Sequence, residues 1–182
     1  MEPSIGVLTP REQKYCDEIA GRIDRLRALL NERTLNTQGA PAVWYEFLSA
    51  LKQIQGNSSN DMSFIATLLA KRYLADRFHV AFCAAEKPQG APGIDIDVTS
   101  TDGERIVGEI KTTVPYQAVD FGAQQASMFK KDFTKVAAAE AKHKFLFVTE
   151  RAAFDVLKKP KYLKLIPGVR IVLLTTGEQH DA

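Results

Sequence analysis

The sequence is poor in cysteine and histidine and has no long apolar run. Cys16 and Cys83 lie far apart, which excludes a disulfide framework. The three histidines (His79, His143 and His180) form no metal-ligand spacing with each other or with a cysteine. No apolar stretch approaches the roughly 20 residues that cross a bilayer, and the first residues lack the pattern of a signal peptide. We therefore expect a cytoplasmic protein with no membrane partner.

Motifs that bind nucleotides or create a serine nucleophile are also missing. The chain has no glycine-rich phosphate loop, no Gly-x-Ser-x-Gly turn and no zinc knuckle, so no nucleotide cofactor is expected. Apolar residues make up 45% of the 182 residues and charged residues 25%, which is ordinary for a globular chain. A chain of this length and composition can bury a sizeable core without disulfide or metal support.

Apolar periodicity predicts three helices followed by a mixed region of strands and helices. The helices are expected over 10–31, 41–55 and 61–77, and a buried strand over 78–84. Beyond a central hairpin we expect a helix over 120–141, a strand over 144–149, a helix over 152–157 and a last strand over 169–174. This order predicts an α/β (α+β) fold with a mixed β-sheet flanked by helices. Residues 1–60 would form an N-terminal helical extension and 61–182 the core, packed as one compact unit.

The hairpin over 94–111 alternates apolar with polar residues, as half-buried strands do. A two-residue turn at Asp102-Gly103 would place acids and core residues on the same face, which is costly. A three-residue loop over 101–103, with Gly103 in the left-handed region, instead pairs Ile96 with Gly108 and Ile94 with Ile110. In that register Asp95 lies opposite Glu109, and Asp97 shares the face of Asp95.

The polar face of this hairpin has the residues of a metal-dependent phosphodiesterase. Opposed Cβ atoms on paired strands are roughly 5 Å apart, and two carboxylates that close repel unless a proton or a cation lies between them. Lys111 follows Glu109 on the same face, about 7 Å along the strand. Two acids can hold a hard cation, and a lysine supplies positive charge to phosphate oxygens. We expect Mg²⁺ as the cofactor, with Mn²⁺ able to substitute.

Pro92 to Asp95, followed by Glu109-Ile110-Lys111, resembles the motif of the PD-(D/E)xK nuclease superfamily, which has the restriction-endonuclease-like fold. Two residues separate the proline from the first acid here, a spacing that this superfamily tolerates. The motif covers residues 92–111, and the compatible order of elements covers roughly 61–174. The resemblance implies that Asp95 and Glu109 are metal ligands, that the Ile110 carbonyl is a third, and that Lys111 orients or activates the attacking water.

The size and layout look most like those of a type II restriction endonuclease. That likeness implies double-stranded DNA as the partner and a homodimer, because one site cuts one strand. The N-terminal helices would then serve dimerisation or DNA clamping. Alternatives are a nuclease of repair, recombination or phage defence, and a DNA-binding protein of the same fold that does not cleave. The retained Asp95, Glu109 and Lys111 argue against the last alternative.

Further polar residues are candidates for the same site. The stretch 130–170 has eleven Lys or Arg against four Asp or Glu, which suits phosphate contacts. An additional acid could come from Asp97, from Glu46 on the second helix or from Glu86 before the hairpin. The candidates for DNA contacts are Thr112, Thr113, Gln117, Gln124, Gln125, Lys130 and Lys131.

Overall fold

A mixed β-sheet with helices on both faces forms the core of the computed structural model, which describes residues 7–32, 40–88, 91–116 and 120–182. The helices are α1 (Pro10–Glu32), α2 (Pro41–Gln55), α3 (Ser58–Phe78), α4 (Ala123–Ala138), α5 (Arg151–Leu157) and α6 (Pro160–Leu163). The strands are β1 (Ile96–Thr99), β2 (Arg105–Lys111), β3 (His143–Val148), β4 (Arg170–Leu173) and β5 (Glu178–Asp181). The expected α/β class is confirmed.

The five strands lie side by side in chain order. β2, β3 and β4 are parallel, and β1 and β5 pair antiparallel at the two edges. Parallel neighbours need crossover connections. Helix α4 makes the crossover from β2 to β3, and α5 with α6 makes the one from β3 to β4.

Each face of the sheet packs against its own helices. Val107 and Leu146 belong to a buried cluster with Phe129 and Phe133 of α4, together with residues of α5 and α6. On the opposite face, strand residues belong to a second cluster with residues of α3; its buried members include Ile106, Phe145, Phe147, Tyr73 and Leu74. Because strand side chains alternate between faces, Glu109 and Lys111 lie on the α4 side with Val107.

Helix α1 is joined to the core by a buried ion pair. Glu12 is fully buried and accepts hydrogen bonds from Lys71 Nζ at 2.9 and 2.7 Å and from the Ala84 amide at 2.6 Å. The Thr9 amide also donates to Glu12, at 2.7 Å. Burial by itself would raise the pKa of Glu12, but these hydrogen bonds outweigh burial and lower the pKa. Helix α1 therefore packs onto the sheet-bearing part of the chain.

The strand predicted over 78–84 is wrong. Helix α3 continues to Phe78, and His79 ends it in the left-handed region at φ 51°. The segment that follows is partly buried, with Val80 and Ala84 inside, as the apolar pattern indicated. Its Ala84 amide donates to the Glu12 carboxylate instead of to a neighbouring strand. The apolar pattern predicts that this segment is buried. It does not predict that the Ala84 amide donates to Glu12, which lies on a helix some seventy positions earlier in the chain.

Strand β5 is not predicted from the sequence, because its residues Glu178–Asp181 are polar. It is an exposed edge strand, and Arg170 of β4 donates to Asp181 at 2.6 Å. Polar edge strands lack the apolar alternation on which sequence prediction depends. Within the described part of the chain, no helix has the length and apolarity needed to cross a membrane.

Candidate active site

The hairpin of β1 and β2 has the register that the sequence predicted. Ile96 pairs with Gly108 and Val98 with Ile106. The loop closes with the Ser100 amide donating to the Glu104 carbonyl at 2.9 Å, and Gly103 has φ +80°. The three-residue loop is thereby confirmed.

The predicted pairing of Ile94 with Ile110 does not form, because β1 begins at Ile96. The Asp95 carboxylate takes the place of a strand neighbour, and its Oδ2 accepts the Ile110 amide at 2.9 Å. Upstream, Gly93 has φ +101° and Lys87 Nζ donates to the Ile94 carbonyl at 2.6 Å, so the chain leaves the ladder here. The side chain of Asp95 is thus held along the free edge of β2, on the α4 side of the sheet.

Glu109 is a buried carboxylate without a full set of partners. The residue is 2% exposed, its Oε1 has no hydrogen-bond partner, and its Oε2 lies 3.5 Å from Lys111 Nζ. Burial and the negative charge of Asp95 together raise the pKa of Glu109 to about 7, against the opposing effect of Lys111. A buried acid with an elevated pKa and an unpaired oxygen is typical of a site that binds an ion or another ligand.

Lys111 contacts an acid that sequence reasoning missed. Its Nζ is paired with Asp132 Oδ2 of α4, and Asp132 Oδ1 also accepts from Lys135 at 2.8 Å. Burial would raise the pKa of Asp132, but the hydrogen bonds from the two lysines outweigh it and lower the pKa. One signal was available in the sequence: Asp132 is the sole acid in the helix and adjoins Phe133 of its apolar face.

These groups open into a cleft of about 850 Å³ at the β1 edge of the sheet. One wall comes from α3 through Ser63 and Thr67, another from α4 through Met128, Asp132 and Lys135. The segments before and within the hairpin complete the lining. The cleft thus brings Asp95, Glu109 and Lys111 together on one surface, with Lys87, Lys111 and Lys135 as its cations.

The additional acids expected from the sequence differ in position. Asp97 lines the cleft but accepts two hydrogen bonds from Arg105, at 2.9 and 2.7 Å, and this guanidinium lowers the pKa of Asp97. Glu86 is exposed and also lines the cleft. Glu46 is exposed on α2 and is not part of the cleft lining. The carboxylate beside Glu109 is therefore that of Asp95.

The residues predicted to contact DNA are dispersed around the cleft, and none of those that the structure describes lines it. Gln125 has a structural role: its Oε1 accepts from the amides of Tyr116 and Gly122 at 2.8 and 3.3 Å, and its Nε2 donates to Val114. The others that are described follow β2 or lie on α4; they are the half-buried Thr112 and Thr113 and the exposed Gln124, Lys130 and Lys131. Gln117 lies outside the described residues.

The site fits a hard cation through a mixed set of donors. No group of three His, Cys, Asp or Glu side chains with metal-binding geometry occurs among the described residues. Asp95 and Glu109 supply two carboxylates, and the unpaired Oε1 of Glu109 is free to accept a ligand. The amide and carbonyl of one strand residue face the same side. Because the Ile110 amide reaches Asp95, its carbonyl also faces this edge and can supply the third oxygen.

Comparison of the chain with protein-family models, with curated proteins and with solved structures finds no match. The likeness to the PD-(D/E)xK superfamily is therefore a resemblance carried by residues 92–111 of this sequence.

Proposed function

We propose that this protein is a Mg²⁺-dependent endonuclease of the PD-(D/E)xK kind that hydrolyses phosphodiester bonds in double-stranded DNA. The observation that supports the proposal is the buried Glu109, which has one unpaired oxygen and lies close to both the Asp95 carboxylate and the Lys111 ammonium. Two adjacent carboxylates without a cation between them are unfavourable, and a divalent ion removes the repulsion.

Asp95, Glu109 and the Ile110 carbonyl are the groups that would hold the cation. Asp95 is positioned by its hydrogen bond to the Ile110 amide, and Glu109 by its place in the interior of the sheet. When bound, Mg²⁺ supplies positive charge that offsets the negative charge developing on the phosphate. Asp95 directly precedes β1 and Glu109 lies in β2, so the hydrogen bond from the Ile110 amide keeps the two carboxylates close together.

Lys111 would act on the reacting phosphate and water. Its ammonium extends from the end of β2 into the cleft and has three N–H donors, of which Asp132 takes one. A remaining donor can orient the attacking water or bind a phosphate oxygen. The exposed Lys130 and Lys131 on α4 lie on the helix that forms one wall of the cleft and can contact phosphates farther along a duplex.

A sequence-specific type II enzyme acting as a homodimer is the form that we favour, because one site cuts one strand and the chain has one motif. Repair, recombination or phage-defence cleavage would use the same groups on another DNA structure. The pattern of products separates these functions. Discrete fragments indicate site-specific cutting, whereas nicks or smears indicate recognition of structure.

Plasmid cleavage with and without Mg²⁺ tests the proposal. We expect the wild type to cut only with Mg²⁺ or Mn²⁺, and Glu109→Gln and Lys111→Met to lose roughly 100-fold or more of the rate, since each removes a group acting on the transition state. Asp102→Asn, an exposed acid in the turn of the same hairpin, should cut like the wild type. A wild type that binds duplex but does not cut with either ion would support the non-cleaving alternative.

A further inference from the structure

We infer that Asp132 is a positioning residue for the proposed site, which draws the Lys111 ammonium away from Glu109 and so leaves the Glu109 carboxylate free for the cation. The inference rests on the proposed function. It adds to the hairpin motif a carboxylate from the crossover helix α4, a residue that the motif does not include.

The carboxylate of Asp132 is held in a fixed orientation. Its Oδ2 contacts Lys111 Nζ and its Oδ1 contacts Lys135 Nζ at 2.8 Å, so each oxygen has a cationic partner. The side chain is 20% exposed, and that of Lys111 is 15% exposed. Screening by solvent is weaker at such a site than at the surface, which strengthens both ion pairs.

Lys111 lies between two carboxylates and is bonded to one of them. Its Nζ is paired with Asp132 but lies 3.5 Å from Glu109 Oε2. A charge-assisted N–H···O bond is typically about 2.7–2.9 Å long, so the contact with Glu109 is too long to be one. Glu109 consequently keeps one oxygen with no hydrogen bond, and its other oxygen has only the longer ion-pair contact with Lys111 at 3.5 Å.

Removal of the Asp132 charge should abolish the preference of the Lys111 ammonium for Asp132 over Glu109. Lys111 would then pair with Glu109, the nearest remaining carboxylate, and would compete with a divalent cation for the same oxygens. The expected consequence is weaker metal binding, although Asp132 itself need not touch the metal. Loss of a residue that orients metal ligands from outside typically lowers affinity by about 10–100-fold.

Mn²⁺ titration of the DNA-free protein, with free Mn²⁺ measured by electron paramagnetic resonance, tests the inference without any need for cleavage. We expect Asp132→Asn to bind Mn²⁺ about 10-fold or more weaker than the wild type. Lys111→Met, which removes the competing ammonium, should not lower the affinity. The double variant Asp132→Asn with Lys111→Met should recover the affinity of Lys111→Met.

Asp155→Asn is the matched control. Asp155 forms an (i, i+3) pair with Lys158 at 3.0 Å on α5, as Asp132 does with Lys135 on α4, but it is not part of the cleft lining. The affinity for Mn²⁺ should not change in this variant. Thermal melts of all variants establish that each one folds.

The alternatives give different results. If Asp132 were itself a ligand, Asp132→Asn would weaken binding equally with and without Lys111, and the inference would be wrong. An unchanged affinity in Asp132→Asn, with a wild type that binds Mn²⁺ and cuts DNA, would overturn the inference alone. A wild type that binds no Mn²⁺ would overturn the inference together with the proposed function. If Asp132→Asn does not fold, a loss of affinity in Lys111→Met alone would still contradict the inference.

Discussion

Glu109 is the residue where stability and the proposed function conflict. It is a buried acid with an unpaired oxygen, next to a second carboxylate. A buried carboxylate with an unpaired oxygen lowers the stability of the folded protein, and such groups occur mainly at functional sites. A cation between Asp95 and Glu109 would satisfy both carboxylates at once.

The raised pKa of Glu109 makes the stability of the metal-free protein depend on pH. Since the folded-state pKa of about 7 is above the ordinary value of 4.5, the folded state binds more protons than the unfolded state between these values. The contribution of Glu109 to the free energy of unfolding therefore falls as the pH rises from 4.5 to about 7, and then levels off. At about 1.4 kcal/mol per pKa unit, the fall is of the order of 3 kcal/mol.

Glu109→Gln should remove this dependence, because an amide of the same shape does not ionise. Urea unfolding with a chelator at pH 5, 6, 7 and 8 measures the effect. We expect the variant to be more stable than the wild type at pH 8, with the difference shrinking toward pH 5. Parallel curves for the two proteins would show that Glu109 titrates normally in the folded state.

At the scale of elements, the β1–β2 hairpin positions the residues of the site. One glycine of this hairpin, Gly108, allows β2 to pack closely against a side chain of β3. A Cβ built on Gly108 would lie 2.8 Å from Cε2 and 3.2 Å from Cδ2 of Phe147 in β3. The Phe147 ring is fully buried and cannot move without disturbing the core on the α3 side. Gly108 thus allows a large aromatic side chain to cover the strand that carries Glu109.

Gly108→Ala should accordingly destabilise the protein by about 1–3 kcal/mol, the typical cost of overpacking a core. Gly21→Ala is the matched control, because its Cβ would meet only the flexible end of Arg25 at 3.6 Å within α1. Alanine is the better helix former, so this variant should gain roughly 0.5–1 kcal/mol. Thermal or urea unfolding of both variants provides the comparison. Equal stability of Gly108→Ala and the wild type would mean that the Phe147 ring can move aside without cost.

At the scale of the whole molecule, the ion pair between Glu12 and Lys71 holds helix α1 to helix α3. Lys71 is 6% exposed on α3, and Glu12 also binds the Ala84 amide at the cleft wall. Arg22 of α1 pairs in addition with Asp61 of α3 at 2.6 Å. Helix α1, the first helix of the expected extension, is therefore packed against α3, which forms part of the cleft wall.

Breaking the buried pair should be costly. Glu12→Gln leaves the Lys71 ammonium without its partner in the interior, and we expect a loss of about 3–5 kcal/mol in urea unfolding at pH 7. Adding Lys71→Met, which removes the stranded charge, should recover part of the loss. A single variant as stable as the wild type would mean that α1 contributes little to the fold.

The ion pair between Glu12 and Lys71 should also make the stability of the protein depend on pH. Because the pKa of Glu12 in the folded protein is below its ordinary value of 4.5, the contribution of Glu12 is complete above that pH. It is lost as the pH falls through the lowered folded-state value. The difference in stability between the wild type and Glu12→Gln should therefore shrink in acid.

The sequence by itself determined the local structure of this protein. Apolar periodicity specified helices α1 to α3 and the buried strand β3, and the turn residues specified the hairpin register that places Asp95 and Glu109 on one face. These features depend on neighbours close in the chain, whose spacing can be read directly. The sequence does not predict the polar strand β5 or the side-chain partner of the Ala84 amide, because neither feature has a local sequence pattern.

Only the tertiary structure decided which distant groups meet. It paired Lys111 with Asp132, and Glu12 with Lys71 and Ala84, across separations that no local pattern encodes. It also decided that Glu109 is buried with one oxygen unpaired, since burial there depends on the packing of α4 over the end of β2. Side-chain spacing along a strand is fixed by the backbone, whereas contacts between elements depend on how their faces pack.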